Sequence, residues 1–78
     1  MDRELRRAVV LRAAVAIVRE HGFAGLTHRA VAVEAGCGIS TVYRVANSNK
    51  KLRREVLNFS RGCGLYDILD RASNLNLS

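Results

Sequence analysis

Residues 27–45, THRAVAVEAGCGISTVYRV, decide the fold of this chain because they describe two short helices separated by a glycine turn. Apolar residues recur at helical spacing on both sides of the turn, at Val31, Ala32, Ala35, Val42 and Val45. The break itself is only Gly36-Cys37-Gly38. A turn this short forces the second helix across the first at a steep angle, the geometry that presents one helix to a DNA major groove. The segment therefore predicts a helix-turn-helix.

A longer helix is predicted upstream. Its buried stripe has the three-and-four spacing of an amphipathic helix, at Val10, Leu11, Ala14, Ile17 and Val18. Asp2 or a neighbour opens it, and His21-Gly22 ends it, with Gly22 as the left-handed residue of a helix C-terminus. Phe23 and Leu26 are then expected to fold back onto the stripe.

Capping residues set the later boundaries. Thr27 is placed as the N-cap of the second helix, and the third begins within residues 38–40. The cluster Asn47-Ser48-Asn49 opens a fourth helix, whose apolar residues are Leu52, Val56, Leu57 and Phe59. Gly62-Cys63-Gly64 breaks that pattern, and one or two further turns around Ile68 precede a tail that we expect to fray.

The predicted fold class is therefore all-α. We expect a small homeodomain-like bundle of three helices plus the start of a fourth at residues 1–61, and a short, partly helical or frayed tail at residues 62–78. At 78 residues such a domain buries only about 60 to 65% of the surface of its unfolded chain. Its core is built from Val, Leu, Ile and Ala, which leaves little room for a catalytic pocket.

The charge of the chain favours a polyanionic partner. Thirteen Lys and Arg against seven Asp and Glu give a formal charge of +6 and a pI near 10.4. The excess lies on and just after the turn motif, where Glu55 is outnumbered by Arg44, Lys50, Lys51, Arg53, Arg54 and Arg61.

Other function classes have little support. The spacings of His21, His28, Cys37 and Cys63 match no zinc ligand pair, and residues 36–38 lack the Gly-Lys-Ser/Thr ending of a phosphate loop. We therefore expect no enzyme, no metal and no cofactor. Two cysteines and no signal-peptide pattern indicate a cytoplasmic protein, and the apolar run of residues 9–18 is about half the ~20 residues that span a membrane.

Over residues 7–57 the chain resembles the N-terminal DNA-binding domain of the TetR family of transcriptional regulators. The resemblance is carried by residues in the family's order and spacing: Ala13-Ala14, Glu20-His21-Gly22-Phe23, Leu26-Thr27, Val31-Ala32, Ala35-Gly36, Thr41-Val42-Tyr43 and Lys51-Leu52. It implies a DNA-binding regulator, a repressor, that occludes a promoter. The family's members are homodimers, and their effector-binding and dimerisation domain has no counterpart in these 78 residues, so we expect a fragment or a truncated product.

The expected contacts to duplex DNA fall in three groups. Off the buried stripe of the third helix lie Ile39, Ser40, Thr41 and Arg44, with Arg44 as the candidate base reader. The opening of the second helix offers Thr27, His28 and Arg29 to phosphate. Lys50 and Lys51 oppose the dipole of their own helix, which favours an external anion. The resemblance adds Tyr43 as a phosphate contact through its hydroxyl.

Plainer interpretations stay open for these residues. Arg44, like Arg53 and Arg54, can also be explained as a solvated surface charge. The Tyr43 ring can also be explained by packing under the fourth helix. Four positions depart from the family's usual Ser, His, Phe and Lys, namely Gly38, Val45, Ala46 and Asn49. The alternative function is a basic helical protein-interaction module, or a remnant without specific DNA binding.

Overall fold

The computed structural model describes residues 3–74. Within them the chain forms five α-helices: α1 (Arg3–His21), α2 (His28–Ala35), α3 (Ile39–Val45), α4 (Asn49–Cys63) and α5 (Tyr66–Asn74). A 3₁₀ turn, Phe23–Gly25, lies between α1 and α2, and no strand occurs in the described range. The all-α prediction is confirmed. Asp2, predicted to open the first helix, lies outside the described residues.

Helix α1 is the element around which the others pack. It contacts α2, α3, α4 and α5. The predicted stripe from Val10 to Val18 is buried, and so are Ala13 and Val15, which do not belong to it. A helix covered from several directions needs apolar residues around most of its circumference, so a single stripe was too narrow a prediction.

The connection between α1 and α2 depends on the backbone conformation of Gly22. Its φ of 75° is positive, as predicted, but its ψ of 177° puts it outside the left-handed helical region. This backbone conformation is accessible almost only to glycine. The chain then turns back, and Phe23 and Leu26 are buried at 5% and 1% exposure, which confirms that they cover α1.

The helix-turn-helix is held by a cap at each end of α2. The Thr27 hydroxyl accepts a hydrogen bond from the amide of Ala30 at 3.1 Å, which confirms the predicted N-cap. Gly36 ends the helix in the left-handed conformation at φ 69°, and the Cys37 amide donates to the Ala32 carbonyl at 3.0 Å. The Gly36 and Cys37 amides thus both donate to carbonyls in the last turn of α2, which lack partners within the helix. α3 starts directly after Gly38.

The last two helices differ from their prediction. Ser48 caps α4, as expected for that cluster, but the helix runs through Gly62 to Cys63 and ends at Gly64, in the left-handed conformation at φ 70°. α5 then buries Ile68 and Ala72 in the core. The one or two turns expected around Ile68 extend to nine residues, because these side chains supply burial; residues 75–78 of the tail expected to fray lie outside the described residues.

Candidate nucleic-acid interface

One face of α3 is left open by the fold. Val42 is fully buried beneath the helix. At 100° per residue, Ser40 and Arg44 fall on the side opposite Val42, and both are exposed. Ile39 and Tyr43 flank that side with 43% and 46% of their surface exposed. Four of the residues expected to meet DNA therefore share one accessible surface.

A groove between α1 and α3 adds positive charge beside this surface. We call it the arginine groove, and it is lined by Arg3, Arg6, Arg7, Thr41, Arg44 and Val45. Thr41 is half-buried on its wall, so it lies at the margin of the open face of α3. Arg44 belongs to both surfaces and joins them.

Three arginines of the arginine groove lie at the positive end of the α1 dipole, where their charges are unfavourable. Arg3, Arg6 and Arg7 lie in the first turns of α1, where the helix end already carries partial positive charge. Arg7 pairs with the carboxylate of Glu55 on α4, which offsets one of the three. Glu4, also in the first turn, offsets a further charge, and the positive charge that remains at this helix N-terminus favours an external anion.

His28 opens α2, as expected, and its side chain is buried. Its side chain is only 7% exposed, with Nε2 2.7 Å from the carbonyl oxygen of Ala46. The ring stacks on Tyr43, with centroids 4.0 Å apart and planes inclined by 5°. The ring is therefore enclosed by its neighbours; the phosphate contact expected at the start of α2 was argued from its free amides, and it stays a prediction. Tyr43 packs on His28.

The N-termini of α2 and α4 meet on the other side of α3. The Asn49 side chain donates to the Leu26 carbonyl at 2.8 Å, which fixes the start of α4 next to the start of α2. Thr27, Arg29, Lys50 and Lys51 are all exposed there. This second basic margin is hereafter the α2/α4 margin.

Two of the four departures from the family pattern have structural roles. Ala46 ends α3 with an extended backbone and offers its carbonyl to His28. Asn49 holds the α4 start, as described above. Gly38 caps α3 without a side-chain hydrogen bond, and Val45 packs against the core from a half-buried position.

Sequence reasoning missed the contribution of α1. No residue of α1 was among those expected to contact DNA. The structure brings Arg6 to Arg44, whereas Arg12 and Arg19 line a different groove with Phe59 and Cys63. The available signal was three arginines within five residues of a helix start, a placement that the dipole disfavours unless an anion is near.

Other kinds of site receive no support from the described part of the chain. In residues 3–74 no group of three or more His, Cys, Asp or Glu side chains is arranged to hold a metal ion. No helix there has the length and apolar character needed to cross a bilayer. Cys37 is half-buried and Cys63 exposed, and both are free thiols.

The fold and the exposed α3 define a DNA-binding helix-turn-helix domain of the kind found in transcription regulators. Comparison with protein families agrees, since the family model for bacterial regulatory proteins, tetR family, matches residues 10–56. The chain belongs to the TetR family. Neither the curated proteins nor the solved structures give a significant match.

Proposed function

We propose that this chain binds duplex DNA by inserting the exposed face of α3 into the major groove and acts as a transcriptional repressor that occludes a promoter. The observation that supports this best is the order of surfaces: the open face of α3 lies between two basic margins, the arginine groove and the α2/α4 margin. A helix in a major groove has phosphate backbones on both sides, so this order matches what the duplex presents.

The roles divide between base and phosphate contacts. Arg44 offers the paired donors that recognise guanine, Ser40 bonds to bases of either kind, and Ile39 offers apolar contact to a thymine methyl. At the flanks of α3, Tyr43 meets a phosphate through its hydroxyl, and Thr41 meets the backbone or a neighbouring base edge. Phosphates on one side are taken by Arg3 and Arg6, and on the other by Thr27, Arg29, Lys50 and Lys51.

A single copy of the chain presents one α3 and therefore covers one half-site. For the chain as a monomer we expect micromolar or weaker binding at physiological salt, because a monomer lacks the gain in affinity that comes from linking two half-sites. Nanomolar binding to one half-site by a verified monomer contradicts this assignment.

The salt dependence of duplex binding tests the proposal. Each phosphate contacted contributes a slope of about −0.9 to a plot of log affinity against log salt concentration, so about four contacts predict a slope near −3 to −4. Fluorescence anisotropy with a labelled duplex at stepped salt concentrations gives this slope. Absence of measurable duplex binding at low salt overturns the proposal and favours the protein-interaction alternative.

A further inference from the structure

We propose that His28 is a positioning residue for DNA binding, which holds Tyr43 and the end of α3 in their places without contacting the duplex. The inference rests on the proposed function, since it assigns the Tyr43 hydroxyl to a phosphate. It comes from a buried histidine that makes one directed hydrogen bond and one flat ring contact. Both contacts are made to α3 or its C-cap, one to Tyr43 and the other to Ala46.

The hydrogen bond joins the start of α2 to the end of α3. A carbonyl oxygen only accepts, so Nε2 of His28 carries the proton in its 2.7 Å contact with Ala46. Ala46 is the C-cap of α3, and its own amide donates to the Val42 carbonyl at 3.0 Å. At the opposite end, the Cys37 amide ties the turn to α2. The His28 hydrogen bond therefore ties the end of α3 to the start of α2, while the short turn joins their other ends.

The ring contact determines where Tyr43 can lie. The two planes are nearly parallel at 4.0 Å, with His28 at 7% exposure beneath and Tyr43 at 46% exposure above. Because the imidazole fills the space under the phenol, the Tyr43 ring is held flat at the surface. A side chain ordered before binding loses less conformational entropy when it contacts DNA.

The experiment is a double-mutant cycle combined with a measurement on the free protein. Tyr66→Phe, a change at an exposed ring, leaves Tyr43 as the single tyrosine, so its ring protons are resolved by NMR. In this background His28 is changed to Leu, which removes both contacts, and to Gln, which keeps a hydrogen-bond donor. His21→Gln is the matched control, because His21 lies exposed at the end of α1.

We expect His28→Leu to shift the Tyr43 ring resonances of the free protein and His21→Gln to leave them in place. Duplex affinity should fall about tenfold for His28→Leu when the Tyr43 hydroxyl is present, and by a clearly smaller factor in the Tyr43→Phe background, where the hydrogen bond to Ala46 is still lost but the hydroxyl is already absent. His28→Gln should lie between these limits, and it replaces Leu in the cycle if the Leu variant does not fold.

Two results overturn the inference. The first is that the Tyr43 resonances do not shift when His28 is changed. The second is that His28→Leu lowers affinity equally in the Tyr43 and the Tyr43→Phe backgrounds, which indicates a general structural role. Failure of the proposed function is distinguishable. If the wild-type chain binds no duplex, the free-protein resonances still decide whether His28 fixes Tyr43.

Discussion

Arg71 on the last helix donates a hydrogen bond from Nη1 to the carbonyl oxygen of Val18 on the first helix, across 3.1 Å. Its Nη2 donates to the carbonyl of Arg19 at the same distance. Carbonyls in the last turn of a helix lack partners within the helix, and a cation there also complements the dipole. α5 therefore acts as a cap on the C-terminus of α1.

Arg71→Ala should lower the free energy of unfolding by about 1–2 kcal/mol, since it removes two charge-assisted bonds, one of them partly buried. Arg54→Ala, at an exposed position on α4, is the matched control and should stay within about 0.5 kcal/mol of wild type. Urea denaturation followed by circular dichroism measures both. Equal losses for the two variants contradict the capping role.

The ion pair between Arg19 and Asp67 predicts a pH dependence of stability. A hydrogen bond from the Arg19 guanidinium, together with its charge, lowers the pKa of Asp67 below its ordinary 3.8 and raises the pKa of Arg19. A carboxylate whose pKa is lowered by folding stabilises the fold above its unfolded pKa, and this contribution is lost as pH falls through the folded value. The pair is exposed, so the effect is small and screened by salt.

Asp67→Asn should accordingly be less stable than wild type at neutral pH, and the difference should disappear as pH falls below about 3.8. Thermal melts at stepped pH and low salt test this. Asp70→Asn, on the same helix, controls for the loss of one negative charge. A difference between Asp67→Asn and wild type that persists unchanged at the acid end rules out the ion pair as its source.

Arg44 and Lys51 should affect DNA binding in different ways. Arg44→Ala should relax sequence preference at one base pair, with a loss of about 1–3 kcal/mol of discrimination. Lys51→Ala should weaken all duplexes by a similar factor and flatten the salt slope by about one. Binding to a panel of single-base variants of one duplex measures both. The reverse pattern means that the exposed face of α3 is not the one that meets the bases.

Asn49→Lys should lower the stability of the fold and raise its affinity for duplex DNA. The change removes the hydrogen bond to Leu26, which costs about 1 kcal/mol, and adds a cation at the α2/α4 margin, which raises duplex affinity and steepens the salt slope by about one. Asn58→Lys adds the same charge on the exposed side of α4 and should leave the slope nearer to that of wild type. Equal slopes for the two variants place the duplex away from the α2/α4 margin.

The features that sequence reasoning predicted correctly depend on neighbouring residues. Thr27 and Ser48 cap helices because their hydroxyls reach an amide three residues ahead. Gly36 ends α2 because the turn needs a positive φ. These signals lie within one or two turns of chain, so the order and types of the first four helices follow from them.

The features that sequence reasoning missed depend on residues distant in the chain. His28 is buried because Tyr43 and Ala46 close over it, and the arginine groove exists because the start of α1 lies beside α3. α5 is ordered because Ile68 and Ala72 find apolar partners in the core. No local pattern of hydropathy or capping specifies which helices become neighbours.

The cap that Arg71 places on Val18 joins residues 53 positions apart, which has a consequence for how the protein is made. At about 5–20 residues per second, a ribosome delivers Arg71 roughly 3–10 seconds after Val18. Throughout that interval the apolar surface that Ile68 and Ala72 later cover is open to solvent and to other chains. The nascent domain therefore completes its core only when α5 emerges, and this apolar surface stays open to aggregation until that moment.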